Sequence, residues 1–270
     1  MRQALPFLVC TLATALHSAD VNPLVQAALA AEARFDSTTA LELFLQADAA
    51  QPGDPFLLQK ISRQYSDLTL DTPALAEKKR LCTAALTFAQ RAVALAPRDA
   101  VNVLSLAICY GKLGTYADTR TKIEYSRLVK QYAEQALALN PDYDYAHHVL
   151  GRWNYEVASL GVTTRFLVRF VYGALPDAST AEAVCQLKRA TELSPQLPAH
   201  RVELGFALLA DGQRDAARQA FQQALAMPKQ EKYDDEARQR ALNALARLGQ
   251  SLLPNSRLPQ SVPPAITASP

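Results

Sequence analysis

The sequence has almost no charge imbalance and little glycine. Its 28 basic and 26 acidic residues leave a formal net charge of +2. A surface this balanced produces no long-range field that would attract nucleic acid or an anionic membrane. Only 9 of 270 residues are Gly, whereas Ala, Leu and Gln, which lose little conformational freedom in a helix, are abundant. We therefore expect an all-α protein without a nucleic-acid partner.

The chain also lacks the local patterns that carry chemistry. Its four cysteines are too few and too widely spaced for a disulfide framework, and none has a metal-ligand spacing. His147 and His148 are adjacent, so on a helix their side chains point about 100° apart and cannot hold one ion. There is no nucleophile elbow, triad-like motif or glycine-rich phosphate loop. We expect no catalytic residues, no metal, no cofactor and no enzymatic activity.

No transmembrane segment is predicted, but the N terminus carries a shorter apolar run. It extends from Ala4 to Leu16, well below the roughly twenty residues that span a bilayer as a helix. One basic residue precedes it and small residues follow, an order typical of a secretory signal peptide. We expect residues 1-19 to be a signal peptide, cleaved after Ala15 or Ala19, and the protein to be exported to the periplasm or outside the cell. The alternative is a mitochondrial presequence, although those segments are rich in Arg.

One local pattern recurs along the chain. An Ala lies five residues before a Pro, with small or apolar residues three and seven positions before the Ala. Small residues allow two helices to approach closely, and Pro ends a helix because it has no N–H. This pattern is typical of the second helix of a tetratricopeptide repeat (TPR). The pairs are Ala47 with Pro52, Ala92 with Pro97, Ala136 with Pro141 and Ala190 with Pro195, and a fifth copy ends at Pro228.

The first helix of the repeat is found upstream of each of these patterns. Its Leu-Gly or Leu-Ala signature occurs as Leu106-Ala107, Leu150-Gly151 and Leu204-Gly205. The repeat prolines are 45, 44, 54 and 33 residues apart, whereas a standard unit has about 34 residues. The additional residues must therefore lie between the two helices of a unit, as longer second helices or wider turns. Helix starts are predicted at the N-caps Asp54, Asp99 and Asp144.

These features predict a TPR-like helical-repeat solenoid of about five helix pairs with a C-terminal capping helix. The capping helix is needed because a terminal repeat must present a polar outer face. The tail is rich in Pro and Ser and is expected to be disordered. The predicted units lie near 21-54, 55-99, 100-143, 144-197 and 198-231, the cap at 232-249 and the tail at 251-270.

The fourth unit has a more specific pattern. A helix containing Leu150-Gly151-Arg152-Trp153 precedes an apolar insert, the turn Tyr172-Gly173-Ala174-Leu175-Pro176 and a second helix. This order resembles the regulator of microtubule dynamics family, in which an LGRW-like helix, an insert and a Phe-Gly-x-x-Pro-like turn follow one another. The resemblance covers roughly residues 35 to 248. It implies association with microtubules, as in animal members, or lipid binding at membrane contacts, as in one branch, and it implies no catalytic residues.

The TPR register also predicts a binding groove. In TPR proteins the second, fifth, ninth and twelfth positions of the first helices line the concave face. Here that face is apolar with an aromatic and basic middle, which suits a hydrophobic segment of a protein or peptide, or a lipid acyl chain with an acidic head. The alternative is that neighbouring helices bury these positions. The predicted groove residues are Val101, Leu104, Ile108, Tyr145, His148, Arg152, Tyr155, Val202, Phe206 and Leu209.

The insert at 160-176 is too apolar for an ordinary solvated loop. Its residues Phe166, Phe170 and Tyr172 are expected either to fold back and close the groove, which we favour, or to stay exposed and dock on a membrane or partner. Two functions follow from this. The first is a non-catalytic scaffold that binds a partner segment in the concave groove, and the alternative is a carrier for a lipid or other hydrophobic ligand.

Overall fold

The computed structural model describes residues 17–161, 173 and 175–250. Within these ranges the chain forms eleven α-helices and no strand. They follow one another as five helix pairs and a final single helix, which confirms the predicted all-α TPR-like solenoid. The helices are α1 (His17–Ala33), α2 (Ser37–Ala50), α3 (Pro55–Asp71), α4 (Leu75–Leu95), α5 (Ala100–Thr115), α6 (Thr119–Leu139), α7 (Asp144–Ala158), α8 (Thr180–Leu193), α9 (Pro198–Ala210), α10 (Arg214–Ala226) and α11 (Asp234–Gln250).

The helices form two layers. Each helix packs against the next along the chain, and α3, α5, α7 and α9 also contact one another in series. These first helices of the pairs therefore line the inner face of the solenoid, and the second helices form its outer layer. The final helix, α11, packs on α9 and α10. Among the described helices, none is both long and apolar enough to cross a membrane.

Two of the three predicted N-caps are confirmed. The Asp54 carboxylate accepts a hydrogen bond from the backbone N–H of Phe56 at 2.9 Å, and Asp99 caps α5 in the same way. The prediction for Asp144 is wrong by one residue, since α7 begins at Asp144 and its N-cap is Tyr143. The Asp144 carboxylate is used elsewhere, in the contact with His200 described below. Helices α4 and α6 each have 21 residues, so the additional residues of these units mainly lengthen the second helices.

The contact between the two helices of a pair depends on complementary side-chain size. The alanines of the five repeat patterns are fully buried. Gly151 faces the buried Leu187, where an added Cβ would lie 2.5 Å from the Leu187 Cγ atom. Gly205 faces the ring of Phe221 in the same manner. The large residue of the second helix therefore occupies the space that a side chain on the first helix would need.

Several predicted segments lie outside the described residues. They are the apolar run at the N terminus up to residue 16, most of the 160-176 insert with Phe166, Phe170 and Tyr172, and the tail at 251-270. The signal peptide, the fold-back of the insert and the disordered tail stay predictions.

Candidate functional site

The predicted groove residues lie on α5, α7 and α9 and fall into two groups. Leu104 and Val202 are fully buried and Tyr155 is only 8% exposed, and all three belong to the apolar cores between helices. At these three positions neighbouring helices bury the side chain, which is the alternative given above for the groove. Val101 is 42% exposed. The remaining groove residues are partly buried and keep some accessible surface: Ile108, Tyr145, His148, Arg152, Phe206 and Leu209.

A buried carboxylate holds the C-terminal part of the inner face together. Glu203 of α9 is fully buried. Arg240 of α11 donates a hydrogen bond to one carboxylate oxygen at 2.5 Å, and the Tyr155 hydroxyl donates to the other at 2.5 Å. Arg152 lies 3.6 Å away, and the hydroxyl of Tyr233 is also within hydrogen-bond distance. The carboxylate therefore joins α7, α9 and α11.

The charge of Glu203 is stabilised by its partners. Burial by itself raises the pKa of a carboxyl group, but the positive charges of Arg152 and Arg240 outweigh burial and lower the pKa of Glu203 to about 2. Glu203 is therefore ionised at neutral pH. Because the group is fully buried and its oxygens are already engaged, it supports the shape of the inner face and presents no free oxygen on its surface.

Two histidines and a carboxylate form a chain beside this cluster. The Nδ1 atoms of His148 and His200 are 2.9 Å apart, and His200 Nε2 lies 3.1 Å from the Asp144 carboxylate. With both rings neutral, His200 donates from Nε2 to Asp144 and His148 donates from Nδ1 to His200. Burial and the neighbouring His200 lower the pKa of His148 to about 3. His148 is therefore uncharged at neutral pH.

The shifted pKa of His148 predicts that acid destabilises the fold. The unfolded chain binds a proton at this residue below about pH 6.5, whereas the folded protein does so only near pH 3. Between these values stability falls as pH falls, by about 1.4 kcal/mol per pH unit for one proton. We expect His148→Asn to remove this dependence, so that its urea midpoint changes less than that of the wild type between pH 7 and pH 5. Equal pH dependence of the two proteins would contradict the assignment.

A non-helical loop between α10 and α11 crosses the inner face. It consists of residues 228–233 and is called the inner loop below. The carboxylate of Glu231 accepts a hydrogen bond from the Tyr145 hydroxyl at 3.0 Å and pairs with the guanidinium of Arg63. Arg63 occupies the ninth position of the second unit, and Tyr145 the second position of the fourth. The loop therefore contacts residues at two positions that line the ligand groove in the TPR register.

The inner loop also reaches α2, the turn before it and the end of α3. Lys232 pairs with Asp71 at the end of α3 and donates a hydrogen bond to the Ser37 hydroxyl of α2 at 3.1 Å. The ammonium of Lys229 lies over the ring of Phe35, 4.6 Å from its centre. These contacts connect the two ends of the repeat array across the inner face.

A cavity of about 320 Å³ remains beside the inner loop. It lies between α1, α3 and the loop, and most of its lining side chains are polar or charged. It is lined by Leu29, Glu32, Ala33, Phe35, Ser37, Arg63, Gln64, Asp67, Gln230, Glu231 and Lys232.

Apart from Arg152, the sequence pattern missed the charged residues of this face. Arg63 could have been found, because the register that identified the groove in later units places it at the ninth position of the second unit. Glu231 and Arg240 carry no such signal, since they lie outside the first helices that define the register. Glu203 stands among apolar residues of α9, and a single acidic residue in such surroundings is a local sign of a buried charge.

In the part of the chain that the structure describes, no cluster of His, Cys, Asp and Glu could hold a metal ion.

Comparisons with known proteins agree with the repeat pattern. The family model described as regulator of microtubule dynamics protein 1-3 matches residues 25–249. Regulator of microtubule dynamics protein 1 of Bos taurus is 29% identical over 143 residues, which cover 53% of this chain and 45% of the relative. Regulator of microtubule dynamics protein 3 of Xenopus laevis is 29% identical over 138 residues, 51% of this chain and 30% of the relative. The chain thus spans less than half the length of these two relatives.

Among solved structures, the chain is similar to TTC0263, a thermophilic TPR protein of Thermus thermophilus. The two share 24% sequence identity with a TM-score of 0.60, over 84% of this chain and 99% of the other. This likeness concerns the fold.

Proposed function

The chain belongs to the regulator of microtubule dynamics protein 1-3 family, and we propose that it is a non-catalytic scaffold that binds a protein segment on its inner face. One observation carries this proposal. A non-helical segment of the chain itself, the inner loop, already lies on that face and is contacted by Arg63, Tyr145 and Arg152 of two different units. A face that recognises one non-helical segment through side chains of more than one unit has the form needed to recognise another.

Site-specific photocrosslinking tests the scaffold function. A photoreactive amino acid at Val101, the most exposed of the predicted groove residues, should produce an adduct with one protein whose crosslinked peptides map to a single segment. The matched control is Leu95, which is 55% exposed at the end of the outer helix α4. Adding Tyr145→Ala should remove the Val101 adduct because it alters the same face. The proposal fails if the Val101 and Leu95 probes give the same adducts.

A second function is a carrier for a lipid or other hydrophobic ligand. Its support is the accessible apolar surface of Ile108, Phe206 and Leu209 on the inner face. The charged groups around Glu203 and Arg63 argue against this function, because a bound acyl chain would remove water from them without replacing its hydrogen bonds. Native mass spectrometry of the purified protein separates the two functions, since a carrier would arrive with bound lipid and a scaffold would not.

We also propose export, on the basis of the run from Ala4 to Leu16. Export would separate the chain from cytoplasmic microtubules, so the microtubule role in the relatives' names is not extended to it. N-terminal sequencing checks the proposal: protein from the envelope or medium should begin after Ala15 or Ala19, and an intact Met1 there would contradict it.

A further inference from the structure

The inner loop is held in two very different ways along its length. At its C-terminal end, the Tyr233 hydroxyl accepts hydrogen bonds from Arg152 at 2.9 Å and Arg240 at 2.6 Å, inside the cluster around Glu203. The following residue, Asp234, is fully buried. This end of the loop is therefore part of the folded core.

The tip of the loop, residues 229–232, is held by ion pairs that water can reach. In the pair of Arg63 with Glu231 the two side chains are 35% and 26% exposed, and in the pair of Lys232 with Asp71 they are 13% and 56% exposed. Ion pairs in contact with solvent contribute little to stability and are weakened by salt. The side chains of Glu231 and Lys232 can therefore leave the inner face while Tyr233 and Asp234 stay in place.

Recognition of the tip depends on side chains. The backbone N–H groups of Gln230 and Glu231 both donate to the Asp234 carboxylate at 2.8 Å, within the loop itself. The ion pairs of the tip across the inner face are made instead by the carboxylate of Glu231 and the ammonium of Lys232. This part of the inner face thus recognises an acidic side chain followed by a basic one.

The groups that bind Glu231 would need a replacement if the tip left. Arg63 would keep only Glu32 at 3.4 Å and Asp67 at 3.8 Å, and Tyr145 would lose the acceptor of its hydroxyl. The cavity of about 320 Å³ adjoins this place, so an incoming segment has room beside the loop. A segment with the same charge order would restore both contacts.

We propose that the tip of the inner loop occupies the inner face in place of a partner, and that the partner is a protein segment with an acidic residue followed by a basic one. The loop competes with this segment because it is tethered, which gives it a high effective concentration at the face. The partner displaces the tip from Arg63, Tyr145 and Asp71. This inference rests on the proposed scaffold function and adds the partner's chemistry and the competition.

The test uses a variant in which only the tip loses its charges. Glu231→Gln combined with Lys232→Gln leaves Tyr233, Asp234 and the cluster around Glu203 unchanged, so the melting temperature should remain close to that of the wild type. The probe is a fluorescein-labelled peptide with the sequence of residues 226–234. The control peptide has its Glu and the following Lys exchanged. Fluorescence anisotropy is measured for wild type and variant.

We expect the variant to bind the labelled peptide at least about tenfold more tightly than the wild type does, because the tethered competitor is removed. The control peptide should bind weakly to both, and raised salt should weaken binding of the labelled peptide. Adding Arg63→Gln to the variant should abolish the gain. Equal affinity of wild type and variant, or equal binding of the two peptides, would overturn the proposal.

The photocrosslinking experiment separates this outcome from failure of the scaffold itself. If the Val101 probe captures one partner segment but the charge variant neither binds the peptide nor changes capture, the scaffold function stands and the competition does not. Increased capture by the charge variant, with an acid-base pair in the captured segment, supports the competition directly.

Discussion

Glu203→Gln is expected to destabilise the folded protein by about 3–5 kcal/mol, because it leaves two arginines without their shared carboxylate in a buried site. The change keeps the shape of the side chain and removes its charge. The side chains of Arg240 and Arg152, which are 26% and 37% exposed, then face a neutral group at the buried end of the cluster, and the tie between α7, α9 and α11 is lost. Urea denaturation followed by circular dichroism at pH 7 measures the loss.

Glu156→Gln is the matched control for this experiment. Glu156 also pairs with Arg152, at 2.8 Å, but its side chain is 52% exposed. An exposed pair of this kind contributes about 0–1 kcal/mol, so the control should stay close to the wild type. Similar losses in the two variants would show that the cluster around Glu203 is not a buried network.

The difference in stability between the wild type and Glu203→Gln has a defined dependence on pH. The pKa of Glu203 in the folded state, about 2, lies below its ordinary value of 4.5. A lowered carboxyl pKa contributes stability that is fully present above about pH 4.5 and is lost as pH falls toward 2. The difference between wild type and Glu203→Gln should therefore be largest near neutral pH and shrink below pH 4.5.

Gly205→Ala is the second change with a large expected effect. An added Cβ would lie 2.6 Å from Cδ1 and 2.8 Å from Cζ of the Phe221 ring, and that ring is fully buried. A buried ring cannot move aside without disturbing α9 and α10, so we expect a loss of about 2–3 kcal/mol. This loss exceeds the gain of about 1 kcal/mol that Ala brings over Gly in a helix.

Gly111→Ala provides the comparison for Gly205→Ala. In α5 an added Cβ would lie 3.7 Å from the Val129 side chain, an ordinary contact. Gly111→Ala should therefore leave the thermal midpoint unchanged or raise it. Adding Phe221→Leu to Gly205→Ala should cost less than the sum of the two separate changes, because the smaller side chain relieves the clash. Strictly additive losses would contradict the proposed contact.

The features that could be predicted from the sequence are those whose residues lie close together along the chain. The repeat alanine Ala190, the large residue Leu187 and the terminating Pro195 all lie within one helix and its end, so their pattern predicts the helix pair directly. The side of each first helix that faces inward follows from the same register. Burial along that side does not, because Leu104 is buried by its neighbours while Val101 of the same helix stays exposed.

What the sequence by itself determined is the helical repeat, its five helix pairs, the capping helix and the family resemblance, because each depends on residues close together along the chain. Only the tertiary structure decided how the inner face is occupied. Arg63 and Glu231 are separated by 168 residues, and each has several other charged residues with which it could have paired. The curvature of the whole repeat array brings these two together, and no local pattern encodes that curvature.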